Sequence, residues 1–524
     1  MQLLIPFIKT GGDYLNNDSS PQNVSPPPFM SINSDLNILK QDLSNAFFST
    51  TDLRIREINL LNSNKKMLIC YLKNLVDKEL LYDYLLKPLT EIGSRITPVD
   101  VTIASLHNIL PGYELLETNN LNNAVNYILL GNALIFMQGE ANALASELYA
   151  QKGRSIEQPE TEITFRGSKE GFVESLNTNI FLLRKLIHSR NLVFEVVKVG
   201  KQSDTEICIC YMNNIVNDEI LKKVKNKINS ISYGSMVNSG VLESFLSEKK
   251  YSLFPTVGNS EKPDKVASKI LEGRVAIIIN GSPVVLTVPY LFIEAIQTSD
   301  DYTENFFYYT IIRFLRLLAL FISMFLPALF VAILSFNQSI IPFNLLITIS
   351  SSREGIPFPP FLECLLMLLT FEILKEAGIR MPRAVGQTIS IVGAIVLGDA
   401  AVGAGITSPI MVIIIAITAI TSFIVPPFMK SVAILRILLI ISANTLGLYG
   451  IALVGVIVFI YLCNLQSYNV PYLAPIAPII QQDIKDSYIV YPMWAMVTRP
   501  VVFSPNNVYR AGNSKKNNEA DKNG

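Results

Sequence analysis

The pattern of apolar and charged residues divides this 524-residue chain into two unlike halves. Up to about residue 310 the two kinds of residue are mixed, whereas the stretches 317–352, 384–428 and 437–482 together contain one charged residue, Asp399. A run of about 20 apolar residues forms a helix that crosses a bilayer core of about 30 Å. We therefore predict an α+β soluble N-terminal half followed by a multi-span α-helical membrane domain at residues 311–466.

An internal repeat organises the soluble half. The sequence ICYLKNLVDKELL at 69–81 aligns with ICYMNNIVNDEIL at 209–221, and GNALIFMQG at 131–139 aligns with GRVAIIING at 273–281. Two matches in the same order at nearly the same offset predict two related lobes of mixed helix and strand. The predicted domains are a disordered tail at 1–34, lobe 1 at 35–155, lobe 2 at 160–300, the membrane domain at 311–466, and a proline-rich segment with its tail at 467–524.

The number of membrane crossings has two interpretations. The apolar segments that we count lie at 317–336, 360–377, 386–406, 409–427 and 437–465. Taken as five crossings, they put the C-terminus opposite the lobes, whereas a re-entrant or broken second segment gives an even number and keeps the C-terminus beside them. We favour the even number. Arg313 and Arg316 precede the first segment and the N-terminus lacks the features of a signal peptide, so the lobes are expected in the cytoplasm.

The second apolar segment carries more charge than a lipid-facing helix tolerates. Its ionisable residues are Glu363, Glu372, Lys375 and Glu376, of which the first lies opposite the other three on a helix. A charge at the bilayer centre costs about 2.5 to 3.5 kcal/mol on insertion scales, so this helix must face protein, water or the interface. It is either a gating or pore-vestibule element, or an interfacial helix with an internal Glu372–Lys375 pair.

A stripe of small residues marks the third segment. Its members recur at spacings of three and four, and they are Ala394, Gly398, Ala401, Gly405 and Ser408. Such a stripe lets helices pack closely or leaves room for water in a pore, and the adjacent Asp399 is an isolated carboxylate in an apolar span. The alternative is tight packing, with Asp399 hydrogen-bonded inside the bundle.

The composition argues against several functions. The chain has two histidines and shows no phosphate-binding glycine loop, nucleophile elbow or metal-ligand cluster, so we expect neither an enzyme nor a cofactor. Its net charge is zero, which gives no indication of a nucleic-acid partner. We predict that the cysteines are reduced and buried; they are Cys70, Cys208, Cys210, Cys364 and Cys463.

Several long motifs resemble one known family. They are RGSKEGFVESLNTNIFLLRKLI at 166–187, the stretch from PFPPFLECLLMLLTFEILKEAGIRMPRAVG to IVPPF at 357–428, and SYNVPYLAPIAP at 467–478 with a closing Arg499–Pro500. Over nearly the whole chain beyond the tail, the sequence resembles the A subunit of the spore germinant receptors of endospore-forming bacteria, the GerA type.

The resemblance implies a specific set of partners and a location. It implies a subunit of a nutrient-sensing complex in the inner spore membrane, in contact with membrane lipid, with a transporter-like B subunit that binds the germinant and a lipoprotein C subunit. It also implies self-association into a ring that forms a ligand-gated ion channel. A secondary transporter and a structural scaffold without conduction are the alternatives.

Overall fold

The computed structural model describes most of the chain. The described residues are 30–59, 65–90, 102–110, 115–150, 159, 162, 166–302, 305–381, 398–480, 482–504 and 507–510. They form two α+β lobes, an apolar helical bundle and a C-terminal segment that packs on the second lobe. The predicted domain boundaries stay predictions.

Lobe 1 is a five-stranded antiparallel sheet with helices. Its elements are α1 (Leu36–Ala46), β1 (Leu53–Asn59), β2 (Lys66–Leu72), α2 (Lys78–Leu81) with the π-helical turn Tyr82–Leu86, α3 (Ile103–Ile109), β3 (Leu115–Thr118), α4 (Leu121–Leu129), β4 (Asn132–Met137) and β5 (Ala143–Glu147). The strand order is β1-β2-β4-β5-β3.

Lobe 2 repeats this arrangement. Its elements are α5 (Leu176–Leu186), β6 (Leu192–Val199), β7 (Thr205–Met212), α6 (Asp218–Asn229), α7 (Ser239–Leu246), β8 (Gly258–Ser260), α8 (Pro263–Leu271), β9 (Val275–Ile279) and β10 (Val285–Val288). The order β6-β7-β9-β10-β8 is the order of lobe 1 with each strand number raised by five.

Matched local features explain why the two repeats fold alike. Asp77 and Asn217 occupy the same place in the first repeated motif, and each caps the next helix by accepting from the backbone N–H two residues later. In the second motif, glycines stand at both ends of a central strand. Gly131, Gly139, Gly273 and Gly281 have φ of 90°, 86°, 101° and 92°, values that favour glycine.

The two lobes share one hydrophobic core. Leu39 and Cys70 of lobe 1 belong to the same buried cluster as Leu183 and Phe194 of lobe 2. At the edge of this core, Arg184 Nε donates to Asp52 Oδ2 over 2.9 Å and Arg184 Nη2 donates to Asp52 Oδ1 over 3.1 Å, with both side chains buried. The lobes therefore form a single packed unit.

The C-terminal half is mostly helical. Its elements are α9 (Phe306–Phe336), α10 (Phe343–Ser352), α11 (Pro360–Arg380), α12 (Pro409–Ser422), α13 (Met429–Asn464), a short helical run at 398–403, and the strands β11 (Gln466–Ser467) and β12 (Val470–Pro471). Two apolar helical stretches, Phe306–Phe336 and Pro426–Asn464, are long enough to cross a membrane by length and composition.

Helix α13 is a hairpin of two arms, residues 429–446 and 448–464. A straight helix of its 36 residues would be roughly 54 Å long. Yet residues from both ends of this helix contact the same residue of lobe 2, Leu253. Ser431 Oγ donates to the carbonyl of Leu253, and the N–H of Leu253 donates to Tyr461 Oη over 3.3 Å. The chain reverses at Gly447, whose φ of 61° and ψ of −141° break the helix. The apolar segment predicted as one span at 437–465 is therefore mainly two antiparallel arms.

The reversal defines two ends of the bundle. At the near end, beside lobe 2, Phe254, Leu320, Val432 and Leu462 share a buried cluster. At the far end, the ring of Phe336 lies about 3.1 Å from where a side chain on Gly447 would begin. Each arm of α13 thus extends from the near end of the bundle to its far end.

Three further expectations need correction or limits. Of the predicted tail 1–34, residues 1–29 lie outside the described residues, and within the described part Ser31 pairs with Asn120 and Ile32 is buried. Cys463 is exposed because it lies on the outer face of α13, whereas the other four cysteines are buried as predicted. The predicted tail beyond residue 510 lies outside the described residues.

The hairpin predicts opposite responses of two glycines on its second arm. A Cβ on Gly450 would lie 2.3 Å from the carbonyl oxygen of Ser442 on the first arm, whereas one on Gly455 would meet only the ring of Phe325 at 3.9 Å. We expect Gly450→Ala to destabilise the chain by about 1 to 3 kcal/mol through overpacking. Gly455→Ala, the matched control, should be neutral or stabilising by up to about 1 kcal/mol. Thermal unfolding followed by circular dichroism measures both, and equal midpoints would argue against the hairpin.

Candidate functional site

The candidate site is the set of polar groups within the apolar bundle. Helices α11 and α12 both run toward the near end. Cys364 early in α11 and Met411 early in α12 pack with Ala328, whereas Phe428, which follows α12, lies in the near-end cluster. This direction separates the charged residues of α11 into a far group and a near group.

Glu363 forms the far group. Its side chain is fully buried, and its Oε1 accepts from Ser408 N–H over 2.6 Å, Ser408 Oγ over 2.6 Å and Thr407 Oγ1 over 3.1 Å. Arg353 Nη2 lies 3.3 Å from Oε2, close enough for an ion pair but not aligned for a hydrogen bond. The carboxylate therefore sits at the N-terminus of α12, where the helix dipole favours negative charge.

Glu372 and Lys375 form the near group. They make the internal ion pair that the sequence offered as one interpretation of this helix. Arg436 of α13 is buried and donates through Nε to the carbonyl of Ser323 in α9 over 2.8 Å, with its Nη1 3.9 Å from Glu372. These polar contacts join α9, α11 and the first arm of α13.

Glu376 stands apart from both groups. It is exposed and pairs with Arg380 one helical turn later, with 2.7 Å between nitrogen and oxygen. The four ionisable residues that the sequence analysis singled out thus have three different environments, so the structure does not bring them together as one site.

The predicted stripe of small residues is interrupted. The helical run that begins at residue 398 ends at residue 403. Two residues later Gly405 takes a φ of 65°, and the N–H of Ile406 donates to the carbonyl of Ala401, which is a common way to end a helix at glycine. Gly405 and Ser408 therefore do not share a helix face with Gly398, and Ser408 instead caps α12 by accepting from Met411 N–H. Ala394 lies outside the described residues.

Asp399 lies on the surface of the structure. It is exposed, and its side chain has no hydrogen bond or ion pair with any described residue. Its neighbour Gly398 is level with the first turn of α12, because a Cβ there would lie 3.8 Å from Val412. A Cβ on Gly403 would have no atom within 4 Å, and Ala401 is half-buried. Among the described residues of one copy, none therefore supports the alternative in which Asp399 is hydrogen-bonded inside the bundle.

A charged junction at the base of α9 was missed by sequence reasoning. Arg313 and Arg316, which the sequence analysis used only to orient the first apolar segment, are buried on Asp301, which pairs with both at 2.9 Å and 2.7 Å. Arg313 Nη1 also lies 3.2 Å from Asp486 of the C-terminal segment. A basic pair on an apolar helix following an acidic DD dipeptide was the available signal, but its partner at residue 486 is too distant in sequence to foresee.

The two carboxylates of this junction respond differently to burial. Burial alone raises the pKa of Asp301, but hydrogen bonding to Arg316 and the charges of Arg316 and Arg313 outweigh it, so the pKa lies below its usual value. Burial raises the pKa of Asp486 above its usual value, and Arg313 offsets this only in part. The environment therefore favours the ionised form of Asp301 and disfavours that of Asp486.

The described side chains offer no evident metal site. Across the ranges that the structure describes, no group of three or more His, Cys, Asp or Glu side chains is placed to share an ion.

The contacts of Glu363 and Glu376 predict that removing the first carboxylate lowers the stability of the protein much more than removing the second. Glu363→Ala removes the acceptor of three hydrogen bonds and leaves Arg353 without its counter-charge, so we expect a loss of about 3 to 5 kcal/mol. Glu376→Ala, on the same helix but exposed, should cost at most about 0.5 kcal/mol. The thermal midpoints of the two variants compare them, and a Glu363→Ala protein as stable as the control would contradict the burial of this charge.

Comparison with known proteins gives the chain a family. The family model described as Bacillus/Clostridium GerA spore germination protein matches residues 38–502, which include both lobes, the bundle and most of the C-terminal segment. The crystal structure of the N-terminal domain of the A subunit of the Bacillus megaterium spore germinant receptor GerK3 aligns with a TM-score of 0.38 and 23% identity, over 50% of this chain and 98% of that one.

Full-length relatives agree with the family match. Spore germination protein KA of Bacillus subtilis (strain 168) is 40% identical over 471 residues, 89% of this chain and 86% of that protein. Spore germination protein B1 of the same organism is 33% identical, covering 91% and 99% of the two chains. Spore germination protein GerLA of Bacillus cereus is 35% identical, covering 86% and 92%. The chain belongs to the GerA family of spore germination proteins.

Proposed function

We propose that this chain is the A subunit of a nutrient germinant receptor, and that several copies surround an ion pathway that opens when a partner subunit binds the nutrient. The similarity to spore germination proteins extends over both the lobes and the bundle, which supports a role for the whole chain in germination. The subunit acts as a binding and conducting protein and not as an enzyme. Its partners are a transporter-like B subunit, a lipoprotein C subunit and membrane lipid.

The bundle crosses the spore's inner membrane an even number of times. Each arm of α13 has 17 or 18 residues and a length of roughly 26 Å, close to the thickness of a bilayer core. After the second arm the chain returns to lobe 2, where Ser467 Oγ donates to the carbonyl of Thr256 over 2.7 Å and Tyr468 is buried. The C-terminal segment and the lobes therefore lie on one side, the cytoplasmic side. The even number comes from the hairpin and does not require a re-entrant α11.

The observation that carries the conducting role is the exposure of Asp399. A carboxylate on the outer surface of an apolar bundle cannot face lipid without a penalty of several kcal/mol. A second copy that faces it across water removes this penalty, and the open space at Gly403 leaves room for water. Asp399 then tunes conduction by attracting cations, while α11 couples the lobes to the pathway through Glu372, Lys375 and Arg436.

Cysteine labelling tests the even number of crossings. In a Cys463→Ser background, which removes the exposed thiol, single cysteines are placed at Tyr82 in lobe 1, Tyr449 beside the hairpin turn and Tyr509 in the C-terminal segment, all exposed positions. With a membrane-impermeant maleimide on sealed vesicles, we expect Tyr82→Cys and Tyr509→Cys to label from one face and Tyr449→Cys from the other. Labelling of Tyr82→Cys and Tyr509→Cys from opposite faces would require an odd number.

Ion flux tests the conducting role of Asp399. The receptor is reconstituted into liposomes with its B and C subunits, and nutrient-triggered cation flux is recorded. We expect Asp399→Asn to lower the flux about tenfold through loss of the local cation concentration. Gly403→Leu should lower it by filling the open space. Asp204→Asn, an exposed carboxylate on lobe 2, is the matched control and should leave the flux unchanged.

Three other outcomes would contradict the proposal, and two of them would identify a different function. Normal flux in both Asp399→Asn and Gly403→Leu would remove these residues from the pathway. Flux from the B and C subunits without this chain would make it a scaffold, and transport of a solute that saturates with solute concentration would make it a secondary transporter.

A further inference from the structure

The most exposed aromatic side chains of the described chain lie at the near end of the bundle. Trp494, the single tryptophan of the sequence, is 84% exposed and Tyr251 is 98% exposed. Met493 and Ile489 beside Trp494 are also more than half exposed. Isolated apolar residues are common on protein surfaces, but a group of this size marks a contact surface.

Trp494 belongs to a segment that runs along the first turns of α9. Four residues before it, the N–H of Val490 donates to Thr310 Oγ1 over 3.1 Å. Helix α9 has 31 residues, about 11 more than a bilayer core needs, and its apolar stretch begins only after Arg316. The segment with Trp494 therefore lies near the level at which α9 leaves the hydrocarbon.

Tyr251 also lies at the near end, beside the two ends of α13. It stands two residues before Leu253, the residue that contacts both ends of the α13 hairpin. Lys249 and Lys250 precede it, and Lys249 Nζ donates to the carbonyl of Asn464, the last residue of α13. Aromatic and basic side chains together are typical of the membrane–water interface.

We infer that Tyr251, Ile489, Met493 and Trp494 form a contact surface for the lipid headgroup region. This inference rests on the proposed membrane location of the bundle. The surface lies beside the start of α9, where Phe307 and Ile311 are 68% and 66% exposed, so the inference extends to these two side chains. It ties lobe 2 and the C-terminal segment to the membrane surface in addition to their covalent links to α9 and α13.

The single tryptophan makes the test direct, because the fluorescence of the unaltered full chain reports on one residue. The protein is reconstituted into phosphatidylcholine vesicles whose lipids carry bromine either near the glycerol backbone or near the methyl end of the acyl chain. We expect shallow bromine to reduce the emission about twofold and deep bromine to reduce it much less, as for an interfacial tryptophan. Aqueous iodide should quench weakly.

A relocated tryptophan supplies the control. In the double variant Trp494→Phe, Tyr82→Trp, the fluorophore moves to an exposed position of lobe 1. Its emission should respond to iodide and not to either bromolipid.

The outcomes separate this inference from the proposed function. If the chain stays in carbonate-washed membranes but Trp494 responds to iodide and not to bromolipid, the inference is overturned and the membrane location stands. Shielding of Trp494 from iodide only after the B and C subunits are added, without bromolipid quenching, would assign the surface to a protein partner and also overturn it. Loss of the chain from washed membranes would overturn both.

Discussion

The bundle is organised by one constraint: an ionised group in apolar surroundings needs a counter-charge, a hydrogen-bonding partner or water. Arg313 and Arg316 meet it through Asp301, and Glu363 meets it through Arg353 and the start of α12. Arg436 meets it through a carbonyl of α9. These contacts fix which helices are neighbours, because a helix that moved away would leave its charge unpaired. Asp399 departs from this pattern, because no described residue of the same copy pairs with it.

The junction at Asp301 connects the lobes, the bundle and the C-terminal segment. Asp301 belongs to the short helical turn that follows lobe 2, its two arginines begin α9, and Asp486 approaches from the returning chain. A displacement of lobe 2 thus acts on α9 directly and on the second arm of α13 through the returning segment. Two connections resist bending at the near end better than one, so a movement of the lobes reaches the helices instead of being absorbed in a linker. This is the geometry that a receptor needs if a signal received outside the bundle is to shift its helices.

How far the sequence predicts this structure depends on how local each signal is. The repeat predicted two related lobes because caps such as Asp77 and Asn217 and the glycines that flank the central strands act within a few residues. The hairpin in α13 was missed because its turn is one glycine in a continuous apolar run, and a hydropathy pattern needs a polar break to register a reversal. The reversal at Gly447 shows only in the tertiary contacts, with Phe336 beside the turn and Leu253 beside the two ends of α13.

The polar groups of the site show the same division. The Glu372–Lys375 pair is local on α11 and was available as an interpretation from spacing alone. The partners of Glu363 at residues 353 and 408 come from two other segments, so the sequence could say that this carboxylate needs shelter but not where it finds it. The continuous stripe through Gly405 was wrong because spacing of three and four assumes an unbroken helix, and that glycine ends the helix.

The interior of a single bundle is apolar, so the proposed water-filled pathway would lie between copies of the chain. Ala328, Val331, Met411, Ile415 and Ile440 occupy the middle of the bundle as one buried apolar cluster. A cluster packed to ordinary protein density excludes both water and ions. The groups that suit a wet passage, Asp399 and the open surface at Gly403, lie on the outside. The proposed conduction would therefore need a second surface opposite this outer face, and in the proposal a second copy of the chain supplies it.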